Sequence, residues 1–387
     1  MVADSPFLPA TGGGEREHLG FVRAAKREGL LALLIVPTVT PLDIGLYRAE
    51  IDDLPLIVTP RHTSALRLAH PRLPYVVASR TAPRWLPARA RAAAREATGI
   101  VVFSYKSHQI GHRLARDLGL PAVLRQHNHE GAYHRSLAAG TPGLRGLVLG
   151  WEAWRIERDE VRLGSAPWLS GIADISLADA QARRRTGGRP VVHVPPFAFD
   201  PSAVRPRMGE PDSARVLFLG ALDIATNVAA VAWFIPSVWP EVLKHCPNAR
   251  LEVVGRAPGD LVRRLVGAAP AASLHADVAD PAPYLAGATV AVNPAVSGSG
   301  VNIKVIEYLQ AGLPVVSTSL ATQGLSLRSG RDLEVRDNAE GFAAALIGLL
   351  QDRARARSMA ESGQKRVTEL LDPVENLRRI AVLLAPC

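Results

Sequence analysis

Only two cysteines occur in the 387 residues, Cys246 and Cys387, far apart and without metal-ligand spacing. That excludes a disulfide framework and points to a reducing compartment, the cytoplasm by default. No apolar run approaches the roughly 18 residues that a membrane span needs. Among the longest, the run over 30–36 stops at Pro37. The N-terminus lacks the charged-then-apolar pattern of a secretion signal, so neither a membrane span nor export is expected. Also missing are a D-x-D pair to hold a metal on a nucleotide diphosphate, a G-x-x-x-x-G-K-[ST] loop, and a third glycine after Gly298-x-Gly300. Metal-dependent transfer, P-loop chemistry and dinucleotide binding lose their sequence support together. No repeat of 20–50 residues and no low-complexity tract is present.

The length fits two domains of ordinary size, with 48% hydrophobic residues to fill them. Strand and helix signals alternate throughout. In the first half, strands are expected over 31–38, 54–59, 75–78, 100–104, 121–125 and 191–194, and helices over 15–28, 87–97, 106–118 and 144–163. Residues 1–4 read as the end of a first strand that is otherwise cropped. In the second half, strands are expected over 216–219, 251–254, 273–275, 290–292 and 315–317. Short apolar runs between helices are what a parallel sheet buried on both faces requires, so each half reads as a doubly wound sheet. Five prolines without periodicity over 195–213 mark a linker. The expected organisation is an N-terminal Rossmann-like domain over 1–195, a linker over 196–213, a second Rossmann-like domain over 214–372, and a last helix within 373–387.

The chain is organised around 293–324. An apolar strand there runs into Ser297, Gly298, Ser299 and Gly300, then into a helix opening near Val301. Two glycines let the backbone approach a ligand, and the helix start points unpaired N–H groups and a positive dipole end at the loop, so an anion is expected. Lys304 and Glu307 project from one face of that helix. A cation and a carboxylate so placed suit a phosphate and a sugar diol; the bland alternative makes both ordinary helix-surface charges. Gly312 ends the helix, and Pro314 opens the next strand.

The segment GSGVNIKVIEYLQAGLPVVST (298–318) resembles the donor-site signature of retaining glycosyltransferases of family 4, the glycosyl transferases group 1. Residues 218–258 are similar to the opening strand, helix and strand of that family's C-terminal domain, and SPFLPATGGGE and LRQHNHEGAYHR match the first domain more loosely. The resemblance implies a GT-B fold, α/β, with two doubly wound Rossmann-like domains facing a central cleft and the last helix crossing back to the first domain. It implies transfer of a sugar from a nucleotide-diphosphate sugar to a hydroxyl, with retention at the anomeric carbon, no metal and no cofactor beyond the donor as co-substrate. The donor would be held by Gly298, Ser299, Gly300, Val301, Lys304 and Glu307, with Val278 near the base and Arg256 near the phosphates. Catalysis would fall to Lys304 and His127, and acceptor binding to Gly12, Gly13, Gly14 and His127. Two departures stand out: the second glutamate of the usual pattern falls on Ser299, and the loop 221–227 carries no cation. A catalytically silent subunit that binds a partner and a nucleotide-sugar epimerase share these features.

Charge is unevenly distributed. Residues 1–200 hold 26 Lys and Arg against 18 Asp and Glu, leaving 19 against 18 for the rest. The run 61–95 has eight arginines and no acid. It is expected to meet an anionic membrane or acceptor, with Trp85 and Leu86 entering the interface, or else to be a merely solvated face. The first reading places the enzyme peripherally on the inner face of the membrane with a lipid-linked acceptor; the second gives a soluble acceptor. No nucleic-acid module accompanies the charge. His108 and His112, at i and i+4, with His127 and His129 in a nearby loop, raise a zinc site, but nothing brings the carboxylate such sites usually include.

Overall fold

The computed structural model describes residues 1–10, 13–197, 214–278, 280–297 and 301–385, which fall into two compact units, Met1–Ala198 with Pro373–Cys387, and Phe199–Asp372. Of the expected linker only Pro196 and Phe197 lie within the described residues.

The first unit runs α1 (Gly13–Arg27), β1 (Leu34–Thr38), α2 (Ile44–Ile51), β2 (Leu56–Pro60), α3 (Tyr75–Ala78), α4 (Ala88–Glu96), β3 (Ile100–Phe103), α5 (His108–Leu118), β4 (Ala122–Gln126), α6 (Glu130–Ala139), α7 (Gly143–Leu163), β5 (Leu169–Asp174), α8 (Leu177–Thr186) and β6 (Val191–His193). Val2 bridges Ile35 on one side and Val102 on the other, so β2-β1 and β3-β4-β5-β6 continue as one parallel sheet with residues 1–3 at its centre. Met1 and Ala3 complete that short strand through backbone hydrogen bonds with Ile35. Both faces of the sheet are covered: one core holds Phe21, Tyr47, Phe103 and Phe197, the other Ile110, Leu124, Ile156 and Ile172. The segment 75–78, expected as a strand from its β-branched valines, is the helix α3. Its first N–H, from Tyr75, is held by Glu152 Oε2 at 2.6 Å, a tertiary contact that overrides local propensity.

The second unit runs β7 (Arg215–Leu219), α9 (Ala225–Ser237), α10 (Trp239–His245), β8 (Arg250–Gly255), α11 (Asp260–Ala268), β9 (Ala272–Ala276), α12 (Ala282–Gly287), β10 (Val290–Asn293), α13 (Ile303–Gln310), β11 (Val315–Ser317), α14 (Ser319–Thr322), β12 (Glu334–Val335), α15 (Ala339–Gln351) and α16 (Arg353–Leu370). Its parallel sheet has the order β12-β11-β10-β7-β8-β9. The chain therefore winds outward from β7 in one direction and from β10 in the other. Open α/β sheets bind ligands at the carboxyl edge where strand order reverses, here between β7 and β10. Phe218, Phe234, Trp239 and Phe342 fill the core beneath.

A final helix, α17 (Pro373–Leu384), belongs to the first unit, where it buries Leu377, Ile380 and Leu383. Gly171 in β5 admits it, since a Cβ there would stand 2.7 Å from Leu383 Cδ2. No helix among the described residues is long and apolar enough to cross a membrane.

Candidate active site

In the second unit the switch point gathers residues from the segments that follow β7 and β10. Lys304, from α13, donates through Nζ to Asn227 Oδ1 at 2.6 Å. Asn227, from α9, is itself fixed by its amide, which donates to Ala221 O at 2.8 Å. The ammonium also stands 4.6 Å above the centre of the Phe218 ring. Gly220, just past β7, makes the room: a Cβ there would come within 3.0 Å of Nζ. Although the residue as a whole is only half-buried, its ammonium end is enclosed, and burial pushes it down to about 7. Tyr308, three residues on from Val305, accepts from Leu219 N at 2.7 Å and pins the end of β7 to α13.

Glu307 follows Lys304 by three residues and lies half-buried on the same helix face. Val278 and Val301 pack against one apolar cluster that also includes Leu219 and Ile306, so the segments after β9 and β10 meet there. Arg256 leaves the end of β8 with its side chain exposed, and its carbonyl accepts from Leu222 N at 2.9 Å. The expected donor residues Gly298, Ser299 and Gly300 lie outside the described residues.

In the first unit the matching edge holds a charge cluster. Asp4, just past the central strand, lies 3.7 Å from Lys106 Nζ and 3.4 Å from His18 Nε2, and its carbonyl accepts from Arg80 Nε at 2.7 Å. Lys106 Nζ also reaches Glu130 Oε1 at 3.1 Å. Burial works against the Asp4 carboxylate, but Lys106, His18 and Arg80 outweigh it and hold the group well below the usual range. Burial likewise opposes the Lys106 ammonium, and Glu130 and Asp4 more than offset it. Arg80 is pushed down to about 10 by burial.

His127 sits beside this cluster at the end of β4, edge-on to His18 with ring centres 5.4 Å apart. Burial, then the neighbouring His18, lowers it to about 3, so the imidazole is neutral at physiological pH. Its Nε2 is buried and has no hydrogen-bond partner among the described residues. Gly13 and Gly14 open α1, and Gly14 O bonds His18 Nδ1 at 2.7 Å; Gly12 lies outside the described residues. Among those described, no group of three or more His, Cys, Asp or Glu could hold a metal ion, and His112 instead stacks on Trp168 at 5.2 Å.

Residues 213–352 match the model of the family described as glycosyl transferases group 1. That segment is a glycosyl transferases group 1 domain. The chain is 32% identical over 166 residues to the phosphatidyl-myo-inositol mannosyltransferase of Mycolicibacterium smegmatis, covering 41% of this chain and 42% of that protein. It spans less than half the length of the curated relatives it matches. Among solved structures it is similar to Anabaena HepE in complex with UDP and glucose (TM-score 0.66, 15% identity, 99% of this chain and 98% of that one). It is also similar to sucrose-phosphate synthase from Thermosynechococcus elongatus (TM-score 0.68, 15% identity, 99% and 97%). The fold is GT-B, with the α/β units and parallel sheets expected from the sequence.

The sequence reading missed Asn227, Asp4, Arg80, Lys106 and Glu130. Asn227 lies in the first turn of α9, where nothing in the sequence ties it to a lysine 77 positions away. The others are scattered over the first 130 positions and meet only through the sheet.

Proposed function

We propose that the protein is a retaining glycosyltransferase that moves a sugar from a nucleotide-diphosphate donor to a hydroxyl acceptor without a metal. The observation that carries this reading is Lys304, an enclosed ammonium held by Asn227 at the switch point inside the group 1 domain. The C1–O bond to the diphosphate breaks and its electron pair stays on the phosphate oxygen. The acceptor oxygen bonds C1 from the same face, and its proton passes to that phosphate oxygen. Charge thus gathers on the leaving group, where Lys304 and the N–H groups at the start of α13 act most strongly in the transition state. Glu307 binds the ribose hydroxyls, Val278 lies against the base, and Arg256 and the loop 298–300 contribute to the phosphates. His127, neutral, with Gly12, Gly13 and Gly14, binds the acceptor hydroxyl.

The acceptor in this reading is lipid-linked and the enzyme works peripherally at the cytoplasmic face. Supporting this, Arg84, Trp85, Arg89, Arg91 and Arg95 are exposed, while Ala90 and Ala94 turn α4 inward. Other members of the run behave otherwise: Arg80 is buried, Arg61 and Arg67 are half-buried, and Leu86 packs partly against the core. Incubation with UDP-, GDP- and dTDP-sugars, with and without a lipid acceptor extract and with EDTA, tests the function. Product that survives EDTA is expected. No product with any donor points to a silent subunit, and an altered sugar without transfer points to an epimerase.

Two expected outcomes follow from the donor site. Glu307→Ala weakens nucleoside diphosphate binding by roughly tenfold, a loss of about 1.4 kcal/mol, with turnover at saturation little changed, because a ribose contact is present before and after transfer. Calorimetry showing wild-type affinity would remove Glu307 from the site. The second concerns pH. A bound diphosphate favours the ammonium of Lys304, which in the free protein is half-deprotonated near pH 7. Below that pH the charge is already present; above it, binding must take up a proton. Affinity should therefore fall as pH rises from 7 to 9, by about threefold to tenfold in all, the limit being what the Lys304 charge contributes to binding the diphosphate. Calorimetry in two buffers of different ionisation enthalpy reads the proton directly, and pH-independent binding without proton uptake would refute the linkage.

A further inference from the structure

Helix α7 carries its polarity reversed. Its inward positions include two carboxylates, Glu152 and Glu160, both buried. Glu152 accepts from Tyr75 N, and Glu160 accepts from Glu130 N at 3.1 Å and Gly131 N at 3.2 Å. Of the other acids, Asp159 accepts from Tyr105 Oη at 2.6 Å and Glu157 pairs with Arg135. The outward stripe is apolar instead: Leu144, Leu147, Trp151, Trp154 and Val161 are 82, 72, 48, 50 and 76% exposed. Spacings of three and four residues put them on one side of the helix. The exposed charges on that side, Arg158 and Arg162, are both cationic, and no acid of α7 is exposed.

A helix in water normally shows the opposite distribution, so something apolar must cover this stripe. We propose that it is the docking surface for an anionic lipid bilayer, lying in the headgroup plane with Trp151 and Trp154 at the edge of the acyl region. This identifies the surface for the membrane contact put forward above and rests on that reading.

Charge selects the occupant. In a two-fold contact between copies the arginines of one stripe would face a second stripe that offers no carboxylate, whereas an anionic leaflet offers negative charge everywhere along it. The tryptophans fit the same phase. Arg158 stands 4.7 Å over the Trp154 ring, the pairing of apolar body and charged rim that the interface favours, while Arg155, 4.5 Å over that of Trp151, is ion-paired with Glu152 and fixes that ring in place. The surface also extends beyond the helix. Arg155 donates to the carbonyls of Leu68, His70 and Leu73, fixing to the flank of α7 a segment that displays Leu66 at 85% exposure.

The test is co-sedimentation of the full chain with vesicles of phosphatidylglycerol and phosphatidylcholine, and of phosphatidylcholine alone, at low and high salt. Wild type should partition at least tenfold more strongly onto the anionic vesicles at low salt. Leu147→Glu with Trp151→Glu should reduce that partition tenfold or more, with an unchanged thermal melt. Acyl chains brominated near the headgroup should quench tryptophan emission, and Trp151→Phe with Trp154→Phe should abolish most of the quenching. If Arg84, Arg89 and Arg91→Glu abolishes binding while the α7 variants bind as wild type, the membrane reading stands and α7 is the wrong surface. Absence of wild-type binding to any vesicle overturns both. If light scattering finds a dimer that Leu147→Glu dissociates, the stripe is a self-contact and the proposal fails.

Discussion

Lys304→Ala should lower turnover about a hundredfold with nucleoside diphosphate binding reduced far less. Negative charge grows on the departing diphosphate as the sugar leaves. A preorganised ammonium in an enclosed site stabilises that growing charge more than the ground state, and removing such a contact typically costs about 3 kcal/mol of barrier. The loop 221–227 has no cation to take its place, and Arg256 at the next strand end is exposed. The side chain is also held: Asn227 Oδ1 accepts from Nζ at 2.6 Å, and the ring of Phe218 lies beneath it. Asn227→Ala should accordingly act through Lys304, lowering turnover in the same direction but by less, and Lys304→Ala should not be made worse by adding Asn227→Ala. Because α13 buries Val305, Ile306, Tyr308 and Leu309 rather than Lys304, the melting temperature should stay near wild type. Steady-state rates within threefold of wild type would remove Lys304 from the mechanism.

What the sequence made legible divides along physical lines. Apolar runs such as those of β1, β4 and β10 announce themselves because a strand covered on both faces has no polar side to display. The strand β5 went unnoticed because its run is broken by Ser170 and Gly171, and the glycine answers to Leu383 of α17, more than 200 residues away. Tyr75–Ala78 reads as a strand by composition and becomes a helix through Glu152. Periodicity identified α7 but not which of its faces turns inward. Composition would bury Leu147 and Trp151, and the fold instead buries Glu152 and Glu160, whose carboxylates serve backbone N–H groups of α3 and α6. At the donor site, Lys304 and Glu307 were legible because they share one helix. Asn227 was not, since its partner lies 77 positions away.

The second large effect is expected on stability, at Arg125. This side chain lies beside Gln126 at the end of β4 and is wholly buried. Its Nε and Nη2 donate to Glu17 Oε1 at 3.0 and 2.7 Å, and its guanidinium also donates to the carbonyls of Val194 and Pro195. The other carboxylate oxygen of Glu17 accepts from Phe197 N. Asn376 of α17 adds a bond to Pro195 O at 3.2 Å. One ion pair thus fastens α1, β4 and the chain leaving the first unit. Arg125→Met fits the volume but leaves the Glu17 carboxylate buried without its cation and Val194 O without its donor. Breaking a buried pair in this way costs about 3–5 kcal/mol. For a unit of this size that corresponds to a fall of roughly 10 °C in its melting temperature. Glu17→Met should cost a similar amount for the converse reason, the guanidinium being left unpaired. The double variant Glu17→Met with Arg125→Met leaves no buried charge, so it should be more stable than either single one, with a coupling of about 2 kcal/mol or more in a double-mutant cycle followed by thermal or denaturant unfolding. Additive losses would mean that the two residues act independently, and that the packing of their stems, rather than the charge pair, holds the segment in place.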